Sequence, residues 1–472
     1  MNTATESSVS ISLSAVGEDQ ELSLSPEDYS LLTDLYELTM AACYVGEGLE
    51  QRPASFELFA RRLPSGFGYL IAMGLAQALD YLEKFCFSLA QIAALQSTGI
   101  FANAPERFWT VLAEARFTGN VWALPEGTAV FANEPLLRVD APLWQAQLVE
   151  TFLLATINYQ TLIATKAARM RDVAGPQAKL LEFGTRRAFG PQASVWAARA
   201  ALAAGLDATS NVVAALKLGR KPVGTIAHSL VMALTASEGS EEKAFAVFHR
   251  YFPGGTLLID TYDPLVAARR LAERVQQGAI QLEGVRLDSG DLTRLSQEVR
   301  SLLPGIPIFA SGDLDEWEIE RLKRAGASID GYGLGTRLVS GTPVNGVYKL
   351  VEFDGIPVMK EAEGKVTYPG RKQIFRTAIE GQIQRDCLGL ATDEGAEFSV
   401  SGQSPMPLMQ LVMQQGKRVQ PPESLEAIAR RTAASVASLP PESRRLDRPI
   451  SPPVDLSPEL QALTAQVKKV QS

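Results

Sequence analysis

In the second half of the chain, short apolar runs end one after another in side chains that suit anion or divalent-cation binding. "KLLEFGTRR" delivers Glu182, Thr185, Arg186 and Arg187, and "PVGTIAHS" delivers Thr225 and His228. "TLLIDTYD" ends in Asp260 and Asp263, and "GVRLDSGD" carries Arg286, Asp288 and Asp291. "IPIFASGD" ends in Ser311 and Asp313, and "SIDGYGLGT" in Gly333, Gly335 and Thr336. Arginine forks match carboxylates and phosphates two bonds at a time, which lysine does not do. Glycines let backbone amides approach a phosphate closely. Carboxylates beside hydroxyls suit Mg²⁺, which keeps several waters and bridges to substrate phosphates. His228 stands beside Thr225 and Ser229 in a setting that suits a nucleophile or acid–base group.

Each of these residues also has a plainer role. An aspartate at a strand-to-helix turn is often a helix cap. The "GYGLGT" glycines suit a tight turn, and either member of the arginine pair suits a surface ion pair. His249, between Phe248 and Arg250 in a helical stretch, reads as structural. Two histidines and the scattered Cys43, Cys86 and Cys387 exclude a zinc site and a disulfide framework. Neither a Walker A motif nor a Rossmann fingerprint is present. A Schiff-base lysine is missing from the run ends, since Lys179 begins its run.

The elements that must position these groups follow from the spacing. A helical stretch comes after each run, and run ends lie about one βα unit apart, ~31 residues if ~250 are shared among eight units. Strands alternating with helices give a parallel sheet covered by helices, with function past the strand ends. The peptide Ser-Gly-Asp-Leu occurs at residues 289–292 and 311–314, so similar local geometry is expected at two adjacent strand ends. Upstream, Tyr29–Tyr44 has helical spacing, "PASFELFARRLP" alternates like a strand, and "IAMGLAQALDYLEKF" reads as a helix. Residues 119–139 form a small antiparallel region, and a long helical pattern runs from Ala146 to Val173. The prolines after Ser435 predict an extended wrap and a final short helix.

The chain has 472 residues, 46% of them hydrophobic, enough for a sizeable core. Its 45 basic and 53 acidic residues sum to −8 without a basic run, which argues against nucleic-acid binding. The first residues lack the basic-then-apolar pattern of a signal peptide, and no apolar run suggests a membrane span. A cytoplasmic location is expected. The division is a disordered leader (1–27), an N-terminal α/β domain (28–150, with part of the C-terminal region packed on it), an α/β-barrel domain (151–350) and a C-terminal region with the Pro-rich wrap (351–472).

Taken together, "LLTDLYELTM", "FELFARRLP", "LEFGTRRAFGP", "GTIAHS", "LIDTYD", "GVRLDSGDL", "GLGTRLV" and "VYKLV" resemble the nicotinate phosphoribosyltransferases. The stretches come in family order between about Leu31 and Leu350, with weaker echoes in "YPGRKQIFR" and "RRLDRP". The resemblance implies a type II phosphoribosyltransferase fold, with an irregular, incomplete α/β barrel beside an N-terminal sandwich-like α/β domain. It also implies a homodimer with sites near the interface. The implied reaction makes nicotinate mononucleotide and pyrophosphate from nicotinate and phosphoribosyl pyrophosphate. ATP, as co-substrate, would phosphorylate a histidine whose position matches His228. Tyr36, Thr225 and Arg286 match nicotinate contacts, and Thr336 matches a phosphoribosyl pyrophosphate contact. Arg186, Ser311, Gly312, Gly333 and Gly335 are the further expected contacts of that substrate, and Asp288 and Asp313 the expected Mg²⁺ ligands. The rival readings are a phosphoribosyltransferase for nicotinamide or quinolinate, and a non-catalytic phosphate-binding homologue.

Overall fold

The structure is a computed structural model and describes residues 22–361, 365–395 and 405–471. Most of the expected leader lies outside the described residues. Its last residues form a one-turn 3₁₀ helix, Pro26–Asp28, closed by a capping box on Ser25.

A seven-stranded sheet organises the N-terminal half. Its central strands, Pro53–Ala60 and Pro135–Pro142, pair antiparallel, and Gly346–Phe353 and Asn120–Ala123 flank them. Gln410–Gln414 adds a strand from far along the chain. Pro53–Ala60 was expected to alternate, yet seven of its eight residues are buried. The reason is cover on both faces, with Glu57 inside and ion-paired to Lys372 at 2.8 Å. The helical pattern expected from Ala146 to Val173 is interrupted at Val149, giving helices Leu143–Leu148 and Glu150–Ala174.

The second sheet is parallel and six-stranded. Its order is Ala208–Thr209, Lys179–Glu182, Gly331–Leu334, Ile308–Ala310, Val285–Leu287 and Leu257–Leu258. The outermost two strands do not pair with each other, so the barrel is open. Five of the expected runs supply strands, but "PVGTIAHS" does not. Ala208–Thr209 forms the edge instead, and residues 221–227 carry no regular structure. Pro222 lacks an amide hydrogen, which suits a segment outside a ladder. That segment runs from one open edge to the other. Val223 N donates to Thr209 O (2.9 Å) at one end, and His228 meets Thr261, just past Leu257–Leu258, at the other.

Helix Glu150–Ala174 packs on strand Gly346–Phe353 of the first sheet and on helices Pro191–Ala203 and Glu316–Arg324 that follow strands of the second. Its Arg169 forms a fully buried pair with Glu316 (2.9 Å) and lies over the rings of Phe67 and Trp317. A four-stranded C-terminal sheet, Met406–Pro407, Lys372–Ile379, Gln382–Leu390 and Val454–Leu456, completes the molecule. The expected extended wrap is punctuated by helix Pro441–Arg444 and that last strand, and the final helix, Pro458–Gln471, has 14 residues. Among the described residues, no helix is long and apolar enough to cross a membrane.

Candidate active site

The C-terminal ends of the edge strand Leu257–Leu258 and its neighbour Val285–Leu287 meet at Asp260. Its Oδ2 accepts bonds from Asp288 N and Ser289 Oγ, both at 2.8 Å. Its buried Oδ1 has no hydrogen-bond partner and faces His228 Nε2 at 4.0 Å. His228 opens helix His228–Glu238, where Ala227 supplies no side-chain cap. The first-turn amides therefore remain free of a side-chain acceptor, a local environment that favours negative charge. His228 Nδ1 lies 3.0 Å from Thr261 Oγ1, a hydrogen bond that can fix the tautomer and ring orientation.

Arg286, in strand Val285–Leu287, reaches the same place. Its Nη2 donates to Ile226 O (2.9 Å), between Thr225 and His228, and Nη1 stands 3.9 Å from Asp288 Oδ1. Nε is buried without a partner, and the guanidinium lies 6.0 Å from the Phe183 ring centre. Burial lowers the arginine pKa, while Asp288 and Asp260 oppose that shift. An arginine still stays charged. The result is a half-satisfied cationic fork beside an aromatic face.

Backbone geometry explains the glycines. A Cβ on Gly333 would stand 2.6 Å from the Phe183 ring, so the missing side chain makes room for that ring. Gly312 has φ +98°, and a Cβ there would stand 2.3 Å from Asp288 O. The turn thus packs directly on the neighbouring strand end, and Ser311 Oγ donates to Asp288 Oδ1. Gly335 is less constrained, its Cβ position being 3.4 Å from Phe183 O. It precedes the short helix Thr336–Val339, which places Thr336 at the same rim. Arg186 is exposed in the turn Thr185–Arg187, and its charge acts on Arg286.

The aspartates divide into two groups. Asp263 and Asp291 are helix caps, accepting two backbone N–H bonds each. Asp260, Asp288 and Asp313 are not caps. The two Ser-Gly-Asp-Leu copies differ for this reason, which corrects the expectation of similar geometry. Both glycines are left-handed, but Asp313 is itself left-handed (φ +48°) and Asp315 caps the next helix. Among the described residues, no three His, Cys, Asp or Glu groups form a ready metal cage. Nearby Glu241 is raised to about 7, chiefly by burial, with Asp263 and Asp260 adding to the shift.

The strand ends thus bring together His228, Thr225, Arg286, Asp288, Ser311, Gly312, Gly333 and Arg186, with Gly335 and Thr336 at the rim. Tyr36 stands elsewhere, half-exposed on helix Leu35–Gly46. It bonds to Glu150, and burial plus Glu150, Glu37 and Asp34 push its pKa up. Phe183 and Thr261 belong to the site and were not singled out in the sequence. Their adjacency to Gly184 and Asp260, within runs already read as strand ends, was the available signal.

The N-terminal-domain, family and C-terminal-domain models of nicotinate phosphoribosyltransferase match residues 31–158, 178–305 and 382–464. A nicotinate phosphoribosyltransferase of Mycobacterium tuberculosis is 40% identical over 452 residues, covering 93% of this chain and 94% of the relative. One from Bacillus subtilis is 42% identical over 374 residues, covering 75% and 74%. The crystal structure of human nicotinic acid phosphoribosyltransferase superposes with a TM-score of 0.79 at 31% identity, covering 92% of this chain and 99% of that one. With an open barrel, a strand-end site and matches along its length, this chain belongs to the nicotinate phosphoribosyltransferase family.

Proposed function

We propose that this chain joins nicotinate to phosphoribosyl pyrophosphate, forming nicotinate mononucleotide and pyrophosphate, and couples the reaction to ATP hydrolysis through phosphorylation of His228. The observation that carries the substrate assignment is the Arg286 fork beside Phe183. Its unpartnered Nε and loosely engaged Nη1 can donate to the nicotinate carboxylate while Phe183 contacts the ring. Thr225 borders the same space.

The pyridine nitrogen is itself the nucleophile, so no general base is needed. The C1–O bond breaks through an oxocarbenium-like transition state, as in glycoside cleavage. Catalysis then depends on stabilising the departing pyrophosphate. Arg186, Thr336 and the amides of Gly312 and Gly335 are the groups at the rim for this, while Ser311 Oγ is bonded to Asp288 and Gly333 lies inside its strand. Two carboxylates on adjacent strand ends are the ligand type that Mg²⁺ takes. Asp288 and Asp313 would hold it, leaving the remaining positions to water and phosphate oxygens, and when bound it supplies charge neutralisation.

Phosphate on His228 would lie against the uncapped start of helix His228–Glu238, with Thr261 on its other nitrogen. Tyr36, outside the cluster of its own chain, would contact nicotinate held by a second copy in a homodimer. The test is turnover with phosphoribosyl pyrophosphate and Mg²⁺, comparing nicotinate, nicotinamide and quinolinate. Mononucleotide from nicotinate supports the assignment; preference for either other base overturns it.

A further inference from the structure

Away from the strand ends, three carboxylates and a tyrosine meet at the start of helix Leu35–Gly46. Asp34 is its N-cap residue, Glu37 lies in its first turn, and Glu150 opens helix Glu150–Ala174. Glu37 is fully buried, whereas Asp34 and Tyr36 are exposed. Thr33 Oγ1 contacts one oxygen of Glu37, and Thr151 Oγ1 lies 2.7 Å from the other. The same Thr151 oxygen is 2.9 Å from Asp34 Oδ2 and 3.3 Å from Asp34 N.

A hydroxyl has one proton to donate. Thr151 can satisfy Asp34 or Glu37, and the other close O···O contact needs a proton on the carboxyl. One of the two acids must then be neutral. Burial decides which, because desolvation penalises the charged form of the enclosed group and not of the exposed one.

The titratable groups facing Glu37 are Asp34 and Tyr36 on its own segment, Glu150 on the long helix, Tyr81 on helix Leu75–Glu83 and Tyr348 on strand Gly346–Phe353. Lys349 is the nearby cation, 3.8 Å from Glu150. Three full negative charges beside one lysine would repel an anionic ring approaching Tyr36.

We propose that Glu37 is a positioning residue for nicotinate: its neutral form limits the negative charge around Tyr36, and its ionisation weakens binding of the anionic substrate. This rests on the reading that Tyr36 contacts nicotinate.

The experiment measures KM for nicotinate from about pH 6 to about pH 8.5, at saturating phosphoribosyl pyrophosphate, Mg²⁺ and ATP. In the wild type KM rises roughly fivefold, the effect of one added charge at partial screening. The midpoint lies near the value of about 7 to which burial raises Glu37. Glu37→Gln, isosteric and neutral, holds KM within about twofold across the range. Tyr36→Ala separates the two readings. If it leaves KM unchanged, the Tyr36 assignment falls and the proposal with it. If it raises KM while wild type and Glu37→Gln give parallel profiles, the Glu37 proposal alone is overturned.

Discussion

Arg286 donates through Nη2 to the carbonyl oxygen of Ile226, 2.9 Å away. One side chain thereby supplies a bond to a segment that has no strand of its own, across the open side of the barrel. Thr225 and His228 flank that carbonyl, so the residue proposed to read the substrate carboxylate also positions the proposed phosphate carrier.

Arg286→Lys keeps the charge and loses the fork. Losing a desolvated, charge-assisted bond costs about 2–5 kcal/mol, so kcat/KM for nicotinate should fall at least ~30-fold. Nicotinamide, without a carboxylate, should change much less. An unchanged ratio of the two kcat/KM values would contradict the assignment.

Gly312→Ala combines a left-handed φ with a Cβ 2.3 Å from the Asp288 carbonyl oxygen. Backbone against backbone cannot yield cheaply, so Asp288 and Ser311 must shift. KM for phosphoribosyl pyrophosphate should rise by about tenfold or more, as a misplacement of ~1 Å at a site can cost even more. Gly290→Ala is the control: its φ is +81°, but its nearest contact is the flexible Leu295 Cδ1 at 3.1 Å. Equal effects in the two variants would sink the argument.

Thr261→Val removes the hydroxyl 3.0 Å from His228 Nδ1. ATP-stimulated turnover should drop by roughly tenfold, the size of losing one orienting hydrogen bond, while ATP-independent turnover stays the same. Equal losses with and without ATP would remove Thr261 from the coupling step.

Stability should report on a buried carboxyl pair where the C-terminal sheet meets the turn before strand Pro135–Pro142. Asp386 binds Arg376 through both oxygens, and the neighbouring Glu134 is pushed well above its usual range by burial and by Asp386. Asp386→Ala strands a buried arginine and should cost about 3–5 kcal/mol in denaturant unfolding. Glu134→Gln should cost little at neutral pH. Because the folded pKa of Glu134 is raised, the wild type loses stability as pH rises above 4.5 towards that folded value. Glu134→Gln should lack that slope, and parallel pH profiles would contradict the neutral carboxyl.

Much of this site was legible because strand ends in a parallel sheet are where polar residues collect. Arg286, Asp288, Ser311 and Gly333 could be placed by run and spacing alone. "PVGTIAHS" misled as a strand because an apolar run looks the same whether or not it has a neighbour to pair with. The strand that forms there, Ala208–Thr209, has two residues, too short for any periodicity. Val149 ends a helix without a proline or glycine to announce it, and that helix packs on strands Pro53–Ala60 and Pro135–Pro142. Phe183 carries no chemical label in sequence; its role follows from Gly333 across the adjacent strand. Asp313 and Asp291 share a tetrapeptide, and only the backbone tells the cap from the left-handed residue.

The most direct test of the account is nicotinate mononucleotide formation by the wild type and by His228→Ala, each with and without ATP. ATP should raise wild-type turnover and product yield, and His228→Ala should retain ATP-independent synthesis but gain nothing from ATP. ATP stimulation that survives in His228→Ala, or the absence of nicotinate mononucleotide from the wild type, would contradict it.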